Sequence, residues 1–291
     1  MLISKKALVT LLASAWVCQS YAGYQITVKS MVDAGRHGKK ENDNVIKMTT
    51  DSNKARIDFT EGRALGAEKG SYLLTQNSGK TFIMVSPENK TYMKWDMDSM
   101  MNMAGAMGNM MQMKITDPKV EMLLDEADAP LLGYPTRHYK IRISYQISMS
   151  VMGFKNESTI SKDEESWTTT KLDVAALGAW VGKTPKTNNQ NMDQLIQAEK
   201  SKMKGFPLKI LSVQTTTDNQ GKATISKSST EVTEIKTVGA STVSFEIPSD
   251  YQEMNLPMAA DNESEKPISN KNAQPKIDFG ALMKKTMEQT E

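Results

Sequence analysis

From Tyr139 to Val151 apolar and polar side chains alternate without a break. Tyr139, Ile141, Ile143, Tyr145, Ile147, Met149 and Val151 hold one parity; Lys140, Arg142, Ser144, Gln146, Ser148 and Ser150 hold the other. Successive strand side chains point to opposite faces, so the run predicts a long strand with one buried and one wet face. Such alternation belongs to antiparallel sheets. Shorter runs repeat it at Ala55-Ile57-Phe59, Leu208-Ile210 and Val243-Phe245-Ile247. Turn signals separate them: Asn77-Ser78-Gly79, Pro87-Glu88-Asn89, Gly133-Tyr134-Pro135 and Asp218-Asn219-Gln220-Gly221. Several hairpins in series predict a strongly curved antiparallel sheet, an incomplete barrel, in an α+β protein.

Three helical stretches interrupt the strands: Asp96 to Gln112, Val174 to Val181, and Met192 to Met203, the last stopped by Gly205 and Pro207. The sheet domain is expected over residues 23–258. Residues 259–275 are polar, contain two prolines and read as a linker. A short helix over 276–291 would place Ile277, Leu282, Met283 and Met287 near one side.

Nine of the 22 methionines fall between Met93 and Met113. At 100° per residue all but Met113 fit within half of the helical wheel, opposite Asp98, Asn102, Asn109 and Gln112. Gly105 and Gly108 weaken the helix by about 1 kcal/mol each relative to alanine. Three readings stay open: a core stripe, an adaptable lid over an apolar cavity, and a thioether site for Cu(I). In the lid reading Met97, Met100, Met101, Met107 and Met111 line the ligand side, and Trp95 marks the hinge or the cavity mouth.

The first 22 residues read as a secretory signal. Lys5 and Lys6 precede an apolar run of eleven residues, Ala7 to Val17, and Ser20-Tyr21-Ala22 supplies small side chains for a cut before Gly23. That run is shorter than the roughly 20 residues of a spanning helix, so no transmembrane segment is expected after cleavage. The only cysteine, Cys18, leaves with the signal. Disulfides, thiol nucleophiles and Cys-ligated zinc leave with it. Of 36 basic and 34 acidic side chains, two lysines belong to the signal, so the mature chain is formally neutral. A neutral chain has no global field to attract nucleic acid.

Catalytic motifs fail on their spacing. Ser78-Gly79-Lys80-Thr81 and Gly182-Lys183-Thr184 have Leu74 and Leu177 where a phosphate loop needs glycine. His37 reads as part of a solvated basic loop, and His138 as an outward-facing polar residue at a strand start. Asp125-Glu126-Ala127-Asp128 and Asp163-Glu164-Glu165 lack calcium-loop spacing and read as solvated faces. No cofactor is called for.

The order of segments is itself informative. Lys54–Phe59, a strand over 70–75, Lys80–Asp96, Gly133–Ile141, Lys204–Ile210 and Phe245–Tyr251 together resemble an uncharacterised family of exported bacterial proteins. That family is similar to the lipoprotein carriers of the LolA/LolB type. The resemblance implies an antiparallel, incompletely closed barrel with helices over its concave apolar side, a cavity for acyl chains and a Gram-negative periplasm. It transfers no individual residue. The expectation is a non-enzymatic periplasmic binding or carrier protein for a lipid or other hydrophobic ligand. The alternatives are extracytoplasmic Cu(I) binding through the methionines, and a ligand-free envelope scaffold whose C-terminal helix docks on a protein partner.

Overall fold

The computed structural model describes residues 21–33, 44–51, 53–62, 69–110, 112–151, 154–172, 189–239 and 243–254. It concerns the first of two units, Met1–Asn255; the second, Leu256–Glu291, falls outside the described residues. So do residues 1–20 of the signal, His37, the helix expected at Val174–Val181, the linker and the C-terminal helix.

The chain builds one sheet of twelve strands. Six come first: β1 (Tyr21–Asp33), β2 (Asn44–Asp51), β3 (Lys54–Glu61), β4 (Tyr72–Gln76), β5 (Thr81–Ser86) and β6 (Thr91–Asp96). Helix α1 (Met97–Met110) leads to three long strands, β7 (Lys114–Leu131), β8 (Tyr134–Val151) and β9 (Phe154–Thr169). Helix α2 (Gln190–Lys202) precedes β10 (Phe206–Asp218), β11 (Ala223–Gly239) and the two-residue β12 (Gln252–Glu253). The order across the sheet is β12-β6-β5-β4-β3-β2-β1-β11-β10-β9-β8-β7. All pairs are antiparallel except β12 with β6. Each meander hydrogen-bonds within itself, and the β1–β11 pairing joins the two. The sheet is not closed, and β7 and β6–β12 are its edges.

Register puts the apolar positions on one face. Ile26 opposes Met48, Met48 opposes Ile57, Ile57 opposes Leu73, and Phe82 opposes Trp95. With Val28, Phe59, Val232, Leu172, Phe206 and Leu208 they form the main buried cluster. Leu131 and Tyr134, from the β7–β8 tip, pack against it. Burial raises the pKa of the Tyr134 phenol, and the Tyr24 phenol on β1 adds to the rise. A flat sheet would hold β1 and β8 about 19 Å apart, so the sheet curls to bring these groups together. At the β7 end α2 lays Leu195 against Ile141 and Ile143.

The opposite face divides in two. Over β4 and β5, Tyr72, Leu74, Ile83 and Val85 form a second cluster with Tyr92, Ile247 and Tyr251. The strand expected at Val243–Ile247 is instead irregular, a strap across this face. Its residues bond through side chains and isolated backbone groups, Arg56 Nη1 donating to the Ser244 carbonyl at 3.1 Å. Over β8 and β9 the same face is charged, Arg142 opposing Asp163 and Lys140 opposing Glu165.

Edge strand β7 is guarded against pairing with other chains. It carries Pro118 and Pro130, three register shifts and a left-handed Asp117 at φ 52°. No helix among the described residues is long and apolar enough to cross a membrane.

Candidate functional site

The candidate residues sit where β6 becomes α1. Asp96 ends the strand and caps the helix, its carboxylate accepting from Ser99 N and Ser99 Oγ, both at 2.7 Å. These bonds lower its pKa and satisfy a donor that the first helical turn leaves open. The helix spans Met97–Met110, slightly inside the expected Asp96–Gln112. Met97 N donates to the Lys80 carbonyl at 3.1 Å, which pins the first turn to the β4–β5 turn.

Trp95 stacks on Phe82 with ring centroids 6.4 Å apart and planes 13° from parallel. Both lie on the main apolar cluster, and Met97 packs beside them. The Trp95 indole Nε1 is buried and has no hydrogen-bond acceptor. A buried donor without a partner costs about 1–3 kcal/mol, so this N–H is a standing demand for an acceptor. Met100 and Met101 are half-buried outside that cluster. Met110 is 67% exposed. The Met107 side chain and all of Met111 lie outside the described residues. The structure therefore unites Trp95 and Met97 with the apolar face, and leaves the rest of the expected lining unassigned.

Sequence patterns missed a charged group on the same face. Register places Lys162 opposite Ile143 and Glu164 opposite Ile141. Lys162 Nζ lies 2.9 Å from Glu164 Oε2 and 3.5 Å from Glu199 Oε1 of α2. Burial raises the Glu199 pKa against the opposing Lys162. For Lys162 burial acts downward, and the two carboxylates outweigh it and raise the pKa. The Asp163-Glu164-Glu165 run is thus not the solvated face its composition implied, because a strand sends alternate residues to opposite sides. Glu164 is buried, whereas Asp163 and Glu165 pair on the charged face.

At the far end of the apolar side an open groove of about 420 Å³ is lined by Asn156, Ser158, Thr216, Asp218, Lys222 and Thr224, among others. Its amides and hydroxyls suit water better than an acyl chain. Asp218 is already engaged, its Oδ1 accepting from Gln220 N and Lys222 N at 2.9 Å each. Among the described residues no three His, Cys, Asp or Glu side chains converge as metal ligands.

Comparison with known proteins places residues 36–251 in the family model described as "Domain of unknown function (DUF4412)". No curated protein matches the chain. Among solved structures it is similar to a LolA superfamily protein from Nitrosomonas europaea, with 12% identity and a TM-score of 0.27. That match covers 75% of this chain and 87% of the other.

Proposed function

This chain belongs to the DUF4412 domain family, and we propose that it is a non-enzymatic binding or carrier protein for a lipid or other hydrophobic ligand in the periplasm. One observation carries the reading: the Trp95 indole N–H, buried against the main apolar cluster at the root of the methionine helix, has no acceptor. An ester or carboxyl oxygen of an acyl ligand supplies one. The acyl chain lies along the apolar cluster, where each buried methylene contributes about 0.8 kcal/mol. In this reading Met97, Met100 and Met101 face the ligand from α1, and Met107 and Met111 are assigned to the same ligand side by sequence periodicity alone. Unbranched thioether side chains adapt to chains of different length without a fixed cavity shape. Trp95 acts as the hinge, since strand β6 and its stack on Phe82 hold it while α1 begins two residues later.

Native mass spectrometry of mature protein, purified from the envelope without detergent, tests this. A lipid-sized adduct lost on denaturation is the expected result. A copper-sized adduct would move the assignment to Cu(I) binding by the thioethers. A bare mass, together with no uptake of a fluorescent fatty acid or phospholipid by the purified protein, would overturn the carrier reading. Converting the five methionines to glutamine with the fold retained should abolish uptake; unchanged uptake removes them from the site.

A further inference from the structure

On the charged face His138 is enclosed by groups from four strands. It stands directly opposite Trp167 in the β8–β9 register. The two rings stack with centroids 4.2 Å apart and planes 11° from parallel. Only 13% of the His138 side chain is exposed. From β7, Asp128 Oδ2 lies 3.7 Å from its Nδ1, and Glu126 opposes it in register. From β9, Glu165 Oε2 lies 3.4 Å from its Nε2. Nε2 is nevertheless buried without an aligned hydrogen bond. From β8, Lys140 Nζ pairs with Glu165 Oε1 at 2.8 Å, and from β10 Lys209 Nζ stands 5.1 Å from the Trp167 ring centroid.

Neutral imidazole carries one N–H and can donate to only one of two flanking carboxylates. Its other nitrogen then presents a lone pair to the second. The imidazolium carries an N–H at each end. Charge count points the same way: three carboxylates face two ammonium groups here, and one added proton on His138 balances them. The carboxylates are held in place independently. Asp128 Oδ2 accepts from Trp167 Nε1 at 2.7 Å, and Glu165 is held by Lys140. Asp128 stands three residues before Leu131, which opposes Tyr134 at the hairpin tip. Those two tip residues pack on the main apolar cluster.

We propose that His138 is a proton-operated clamp. Uptake of one proton makes the imidazole a donor to Asp128 and Glu165 at once, ties β7 to β9 across β8, and fixes the β7–β8 tip against the apolar cluster. The second donor exists only on the imidazolium, so the tip loosens when His138 gives up that proton. The clamp requires no ligand and stands apart from the carrier reading.

Two readouts on the intact mature protein test it. An imidazolium quenches a stacked indole, and a neutral imidazole does so far less. The emission of Trp167, taken as the difference between wild type and Trp167→Phe, should fall with a single midpoint as the protein is acidified. Amide exchange across residues 124–138, corrected for intrinsic rates, should be roughly tenfold slower in wild type than in His138→Gln near pH 5, the scale of one charge-assisted hydrogen bond. The two proteins should exchange alike near pH 8. Should His138→Gln fail to fold, Asp128→Asn serves instead: it should keep the emission change and lose the acid protection. Emission that ignores pH, or acid protection that survives either substitution, overturns the clamp.

Discussion

Arg56 lies over the ring of Tyr72, its guanidinium carbon 3.7 Å from the ring centroid. The same guanidinium bonds Asp58 Oδ1 through Nε and Nη2, at 2.9 and 2.8 Å, and the Ser244 carbonyl through Nη1. One side chain thus joins β3, β4 and the strap. Burial raises the Tyr72 pKa, and Arg56 pulls it partly back. Arg56→Ala should lower stability by about 2 kcal/mol, from lost cation–π contact and a lost charged hydrogen bond. Arg56→Lys should recover only part, because an ammonium has no planar fork. Urea unfolding gives the first number, and proteolysis of residues 243–254 should quicken in step. A lysine variant equal to wild type would reduce the role of Arg56 to charge alone.

The β7–β8 turn places a leucine where asparagine is favoured. Leu132 and Gly133 both have positive φ, 53° and 82°, in a two-residue loop, the pattern of a type I′ turn. Leu132 is 46% exposed, so its side chain contributes little burial. Leu132→Asn should stabilise the protein by about 1 kcal/mol. A fall in the thermal midpoint would show that the exposed leucine makes a contact worth more than the strain.

Gly205, between α2 and β10, has no such freedom to change. Its φ is +97°, and an added Cβ would stand 2.6 Å from the Thr169 carbonyl oxygen. Gly133 also has positive φ, but nothing lies within 4 Å of its added Cβ. Gly205→Ala should cost about 3 kcal/mol and Gly133→Ala about 1 kcal/mol, strain plus collision against strain alone. Equal costs in chemical denaturation would mean that β9 yields at Thr169.

The trio under α2 sets a pH dependence of defined sign. Glu199 has a raised folded pKa, so its favourable contribution is present in acid and is lost as pH rises from the ordinary glutamate range through the raised value. Wild type should therefore lose stability relative to Glu199→Gln across that window. The Lys162 pKa is also raised; its contribution holds below the ordinary lysine value and disappears above it in alkali. Lys162→Met leaves two partly buried carboxylates without a cation and should cost about 2 kcal/mol near neutrality. Urea midpoints measured against pH, as differences between variants, isolate these slopes from other carboxylates. A flat difference for Glu199→Gln would mean that water reaches the carboxylate.

Trp95 separates ligand recognition from packing. Trp95→Phe removes the unpartnered N–H and keeps an aromatic ring against Phe82. Unliganded protein should be as stable as wild type or more so by about 1 kcal/mol, while Trp95→Ala should lose about 3 kcal/mol. Destabilisation by the phenylalanine variant would reveal an acceptor for the indole in the unliganded protein.

Where a strand is wet on one side, its residues are readable. The run from Tyr139 to Val151 lies within β8 and Ala55-Ile57-Phe59 within β3; alternate residues are buried in β3 and at Tyr139, Ile141 and Ile143 of β8, beyond which both parities hold half-buried residues. The turn residues and the ends of α1 and α2 were legible for an equally local reason: each depends on φ preferences or capping within a few residues. Strands β4 and β5 are covered on both faces and show no alternation, as Tyr72, Leu73 and Leu74 are all buried. β7 and β9 are hidden by their charge, because register pairs their acids with bases of β8 rather than leaving them in water.

By itself, then, the sequence determined an antiparallel sheet, a methionine helix beginning near Asp96, and the β4–β5, β5–β6, β7–β8 and β10–β11 turns, since periodicity and turn chemistry act over neighbouring residues. Tertiary structure alone decided that the β1–β11 pairing joins the two meanders and that residues 243–247 form a strap rather than a strand. It alone brought Lys162 to Glu199 and stacked His138 on Trp167. Those partners stand 37 and 29 positions apart, and their meeting depends on strand register and on where a helix packs. Register is set by summed burial over whole strands, which no local pattern records.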